Sequence, residues 1–177
     1  MNTMMTCSSR WVPIATLSLL LTAPDVTQAE RWTTVGAAGT VDKDDLVLYK
    51  TDTSKGVMFF ASGITGELNI NYNIGAIDTF AYPEFEWLVG FRDNGASARV
   101  LLELKRYNIF SGITSTVTTF DSNSFGSSAS FRANNKCFHH VFDFLNFAYF
   151  INARIIKTAA DGKPALGAVQ LGECIPG

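Results

Sequence analysis

Three glutamates carry the strongest case for acid–base chemistry in this chain. Glu84 and Glu86 stand two residues apart. On an extended strand such residues project from one face, about 7 Å apart. Glu103 falls in the next strand-like segment, which the sequence predicts to return as the other arm of a hairpin. Two carboxylates about 5–10 Å apart are what glycoside cleavage requires, one as acid and one as nucleophile or base. The plainer reading is a solvated strand face, because Arg92, Lys105 and Arg106 stand ready as cross-strand partners.

Binding chemistry has two candidates. The segment Ala81-Tyr82-Pro83-Glu84-Phe85-Glu86-Trp87 gathers three aromatics and two carboxylates around a proline. An exposed Tyr or Trp offers an apolar ring and a polar tip to a sugar or peptide. Tyr82 is the expected exposed member. Trp87 is the second platform candidate, although its alternation with Val89 and Phe91 also suits a core position. The second candidate is the row Asn69, Asn71 and Asn73, three amides expected in line on one strand face. They can hold a polar ligand or simply face water.

Other chemistry is thin. His139 and His140 are the two histidines, and as strand neighbours they point to opposite faces, so they do not share one metal. No HExxH occurs, nor any GxSxG with the βαβ pattern which that motif needs. Asp42, Asp44 and Asp45 do not complete a calcium loop, since Lys43 intervenes. No metal site and no cofactor is expected. With Cys7 in the leader, Cys137 and Cys174 are left to form a disulfide. The bridge would pin the C-terminal segment to the body and stabilise by about 3–4 kcal/mol in the chain-entropy model.

The elements that position these residues read as β almost throughout. Leu68-Asn69-Ile70-Asn71-Tyr72-Asn73-Ile74 alternates apolar and polar residues without a break, one buried face and one wet face. Phe85 to Phe91 alternates likewise. Asp93-Asn94-Gly95 is a strong hairpin signal, with a return strand from about Ala98 to Ile109. Val57–Phe60, Thr114–Phe120, Phe138–Phe144, Ala148–Ile156 and Leu166–Leu171 supply further strands. Asp121–Ser130 reads as a polar loop. The pattern predicts an all-β, single-domain antiparallel β-sandwich, jelly-roll or Ig-like, of roughly 9–11 short strands. The expected core holds Leu68, Ile70, Tyr72, Trp87, Val89, Val100, Leu102, Leu104, Phe142, Tyr149 and Ile151. An outer-membrane barrel is the rival, but several strands fall short of the ten or so residues that barrel strands need.

The first 29 residues read as a secretory signal. The apolar run Trp11–Ala23 is shorter than the roughly 20 residues of a membrane-spanning helix. Thr27-Gln28-Ala29 places small residues before a cleavage point after Ala29, with Ala23 as the weaker choice. Residues 30–177 then form the sandwich, secreted or periplasmic, with no membrane span. The pattern is similar in type to small exported bacterial β-sandwich proteins, a likeness that carries no activity.

Composition narrows function further. The chain of 177 residues is 47% hydrophobic and 17% charged, with a net charge of −2. That excludes disorder and a basic nucleic-acid surface. The expected role is a ligand- or partner-binding or structural module, its partner a carbohydrate or another extracellular protein. An extracellular polymer hydrolase using Glu84, Glu86 or Glu103 is the alternative.

Overall fold

The computed structural model describes residues 31–52, 54–75 and 83–174. The predicted signal segment and Tyr82 lie outside them. Among the described residues, eleven strands form two antiparallel sheets. They are β1 (Trp32–Val35), β2 (Thr40–Val41), β3 (Tyr49–Asp52), β4 (Val57–Phe60), β5 (Gly66–Asn73) and β6 (Glu84–Asp93). There follow β7 (Ala98–Asn108), β8 (Thr114–Asp121), β9 (Ser128–His139), β10 (Phe147–Lys157) and β11 (Ala165–Glu173). One sheet has the order β3-β4-β11-β6-β9, with β1 also pairing β11; the other runs β2-β5-β10-β7-β8. From β4 onward the chain crosses between the sheets at every step except β7 to β8, giving the 4-11-6-9 and 5-10-7-8 strand orders of a jelly roll. Among the described residues, no helix is long and apolar enough to cross a membrane.

Period-2 patterning explains the packing. Phe85, Trp87, Val89 and Phe91 of β6 face Leu68, Ile70, Tyr72, Val100, Leu102, Leu104 and Ile151 of the other sheet in one core. All eleven expected core residues are buried. The alternate residues of each sheet therefore point to opposite outer faces of the sandwich.

Two expectations are corrected. First, Asp93-Asn94-Gly95 does not close a hairpin: β6 pairs with β11 and β9, whereas β7 pairs with β10 and β8. The turn is drawn inward instead. The Asp93 carboxylate is buried, accepting from the Gly95 amide at 3.1 Å and from the Ser122 hydroxyl. Asn94 is held by the loop after β10, donating to the Asp161 carbonyl at 2.9 Å. With its side chains occupied this way, the turn carries the chain across the core into the second sheet. Second, the polar stretch 121–130 is a short 3-10 turn (Ser122–Phe125) leading straight into β9, and the chain from His140 to Asn146 is a loop rather than a strand. β9 is an edge strand with no buried row to betray it. Phe142 still reaches the core, edge-on to Phe85 and to Tyr149, each at 4.8 Å between centroids.

Cys137 and Cys174 form a disulfide, with Cα atoms 5.7 Å apart across a sequence separation of 37. It ties edge strand β9 to the end of β11, the two strands that flank β6.

Candidate functional site

The three glutamates do not meet. Glu84 and Glu86 lie on the outward row of β6, while Glu103 lies on the outward row of β7 in the other sheet. The hairpin expected to join them is absent, so the whole thickness of the sandwich separates Glu103 from the other two. Glu84 is exposed and bonds the His139 ring at 3.0 Å. Glu86 accepts from the Asn135 amide at 3.2 Å. Glu103 pairs with Lys105 at 3.3 Å and stands 4.0 Å from Arg154. Each carboxylate has a partner on an open sheet surface: Glu84 and Glu86 reach across to β9, and Glu103 lies beside Lys105 of its own strand and Arg154 of β10.

Trp87 offers no platform: it is 0% exposed, packed in the core beside Phe138. The alternation with Val89 and Phe91 decides its direction. The histidines point to opposite faces. His140 is half-buried and bonds the Tyr149 hydroxyl at 3.2 Å, a hydroxyl that also accepts from the Asp143 amide at 3.1 Å. The hydroxyl has the capacity to donate to a neutral His140 ring while accepting from Asp143. Burial holds the His140 pKa below its ordinary value, with Arg106 and His139 adding like-charge repulsion. Near the acidic cluster, the Asp42 carboxylate caps the Asp44 amide, and Asp45 accepts from both the backbone and side-chain amides of Asn69. Glu86 lies close to both cysteine sulfurs, but those sulfurs are joined to each other and are not thiolates.

The asparagine row gains company. β5 pairs with β10, and β10 with β7, so two outward rows run across the five-stranded sheet. One is Thr40, Asn71, Asn152, Glu103 and Thr119; the next is Asn73, Phe150, Lys105 and Thr116. Five strands span about 19 Å across a row. Asn71 and Asn73 are exposed; Asn152, Glu103, Lys105 and Phe150 are half-buried. Asn152 donates to Asn71 at 3.2 Å, which aligns the two amides and leaves further donors and acceptors outward. Phe150 is outward-facing, and Tyr107, 41% exposed, sits diagonally beyond it on β7. At one corner Arg154 reaches Glu67 at 3.4 Å. At the other Arg99 grips Asp121 through two bonds of 3.0 and 2.6 Å. That grip holds the Asp121 carboxyl below the usual carboxylate range. The face thus joins two aromatic rings to fixed amides, carboxylates and cations.

The alternation within β5 marks one edge of this face but does not reveal Asn152, Phe150 or Tyr107. A signal for them exists. Phe150, Asn152 and Arg154 alternate with Ile151, Ala153 and Ile155, but Phe150 and Ile156 hide the polar row among apolar residues.

No protein-family model matches the sequence, and no curated protein matches it. Among solved structures, the chain is similar to the C-terminal family 6 carbohydrate-binding module of LamC, a marine laminarinase from Zobellia galactanivorans. The two are 9% identical over 81% of this chain and 100% of that one, with a TM-score of 0.49. It is also similar to the CBM36-1 domain of a multidomain xylanase from the hindgut metagenome of Trinervitermes trinervoides, 13% identical over 83% and 100%, TM-score 0.42. A family 11 carbohydrate-binding module from Clostridium thermocellum, in complex with a β-1,3-1,4-mixed-linked tetrasaccharide, is 10% identical over 83% and 91%, TM-score 0.43. With TM-scores below 0.5, these proteins lend this chain neither a site nor a ligand.

Proposed function

We propose that this protein is an exported binding module, secreted or periplasmic, that holds a carbohydrate across the outer face of its five-stranded sheet. The observation that carries this reading is the pairing of Phe150 and Tyr107 with Asn71, Asn73 and Asn152 on one outward surface. Sugar rings present apolar faces that lie against aromatic side chains, while their hydroxyls need fixed donors and acceptors. The amides, Lys105 and Glu103 supply both. A glycan array probed with wild type and Phe150→Ala tests it: saccharide binding by the wild type that the variant loses supports the reading, and no saccharide bound by either overturns it. Export is tested by N-terminal sequencing of secreted material, which should begin at or close to Glu30.

A protein partner is a second reading, favoured by the β7–β8 turn. Asn108 accepts from the Phe110 and Ser111 amides, and this local turn displays Phe110 at 78% exposure. Ile109 is bonded to Asn146 at 3.1 Å, which brings Leu145, 85% exposed, alongside. Phe110→Ser with Leu145→Ser removes such a contact and leaves saccharide binding intact.

A further inference from the structure

At the end of the sandwich where β10 finishes lies a cavity of about 240 Å³. It is smaller than the roughly 300 Å³ at which sites for drug-sized ligands begin. Its lining is unusual for a chain of net charge −2: Lys50, Arg92, Lys157 and Lys163 contribute, and no lining residue is acidic. Lys157 is the innermost cation. It continues the inward row of Ile151, Ala153 and Ile155 on β10, so its stem belongs to the core edge, and it is only 6% exposed. Its ammonium makes no hydrogen bond or ion pair with any described residue. The stem is buried while the ammonium reaches the cavity, where it adds to the positive charge of Arg92, Lys50 and Lys163 with no carboxylate in the lining. Arg92 is oriented: its Nε donates to the Lys163 carbonyl at 2.8 Å, and its guanidinium lies over the Phe131 ring at 5.4 Å. The terminal N–H groups of Arg92 have no protein acceptor among the described residues. Ser62 adds a hydroxyl to the wall. The nearest carboxylate in the adjoining cavity, Asp52, is already occupied by Ser54 at 2.6 Å and Lys55 at 3.4 Å.

We propose that this cavity binds a small oxyanion, a carboxylate or sulfate group, with Lys157 at its inner end and Arg92, Lys50 and Lys163 around it. Charge-assisted bonds to an oxyanion satisfy the ammonium and the free guanidinium donors together. The proposal does not rest on the sheet-face reading, because the cavity shares none of that face's residues.

Sodium sulfate, sodium glucuronate and sodium chloride, titrated at matched ionic strength into the full chain, test it through the thermal midpoint and backbone amide shifts. A saturable response to sulfate or glucuronate, and not to chloride, is expected. Glucuronate alone identifies a sugar acid as the source, and sulfate alone a sulfate group or free ion; either supports the site. Lys157→Met keeps the stem, removes the charge, and should weaken binding at least tenfold with no loss of thermal midpoint. Lys50→Ala with Lys163→Ala, at exposed positions that leave the fold undisturbed, should weaken it several-fold and serves if Lys157→Met does not fold. A chloride response equal to the others, or a variant that binds as wild type does, overturns the proposal.

Discussion

Removing the disulfide should cost the fold dearly and leave the sheet face untouched. The bridge joins residues separated by 37 positions. In the chain-entropy model a loop of that size restrains the unfolded chain by about 4 kcal/mol. For a domain of this length, each kcal/mol moves the melting midpoint by about 2–4 °C. Cys137→Ser with Cys174→Ser should therefore lower Tm by about 8–16 °C, and reductant should do the same to wild type. The loss falls on the six-stranded sheet, because β9 contributes little buried surface of its own and β11 is held on both sides by other strands. Asn71, Asn152 and Phe150 belong to the other sheet, so ligand binding below the new Tm should persist. Thermal unfolding followed by near-ultraviolet circular dichroism, with and without reductant, reads the effect. A shift under about 2 °C would refute the reasoning, because it would mean that the unfolded state gains no freedom when the bridge is cut.

Two further predictions concern buried polar groups. Ser122→Ala should destabilise by about 2–3 kcal/mol in urea titration, since it strips the Val100 amide of its 2.9 Å acceptor and takes a donor from the buried Asp93 carboxylate. Stability should also fall as pH drops below about 6.5, the ordinary histidine value. The His140 pKa is depressed in the folded state, so the unfolded chain takes up the proton first, and the contribution present above 6.5 is lost progressively on acidification. His140→Gln should flatten that part of the profile.

Strands with one buried and one wet face are legible in the amino-acid sequence alone. β5 and β6 alternate in burial along their length, and β7 does so from Ala98 to Lys105 apart from the buried Leu101, and register follows from it. Edge strand β9 is not legible, because neither of its faces is buried enough to impose a pattern. The path after Asp93 is not legible either. The Asn-Gly pair is a local hairpin signal, and what redirects it is tertiary: a buried carboxylate bonded to Ser122, 29 residues away. The candidate site shows the same division. The asparagine row can be read from β5 alone, whereas its neighbours on β10 and β7 emerge only once the strands pair in the order β5-β10-β7. Trp87 is ambiguous in sequence because an aromatic in an alternating strand serves a core and a binding platform equally well; its buried neighbours settle the direction.

The outer face of the five-stranded sheet, not that of the six-stranded one, is the proposed saccharide face. Isothermal titration of the best array ligand against wild type, Phe150→Ala, Asn152→Ala and the Glu84→Ala, Glu86→Ala double variant tests it directly. Phe150→Ala should weaken binding about tenfold, or about 1.4 kcal/mol. Asn152→Ala should cost about 1 kcal/mol, one hydrogen bond's worth, and the double variant should bind as wild type does. Full affinity in both sheet-face variants with loss in the glutamate pair would place the site on the opposite sheet and contradict the account.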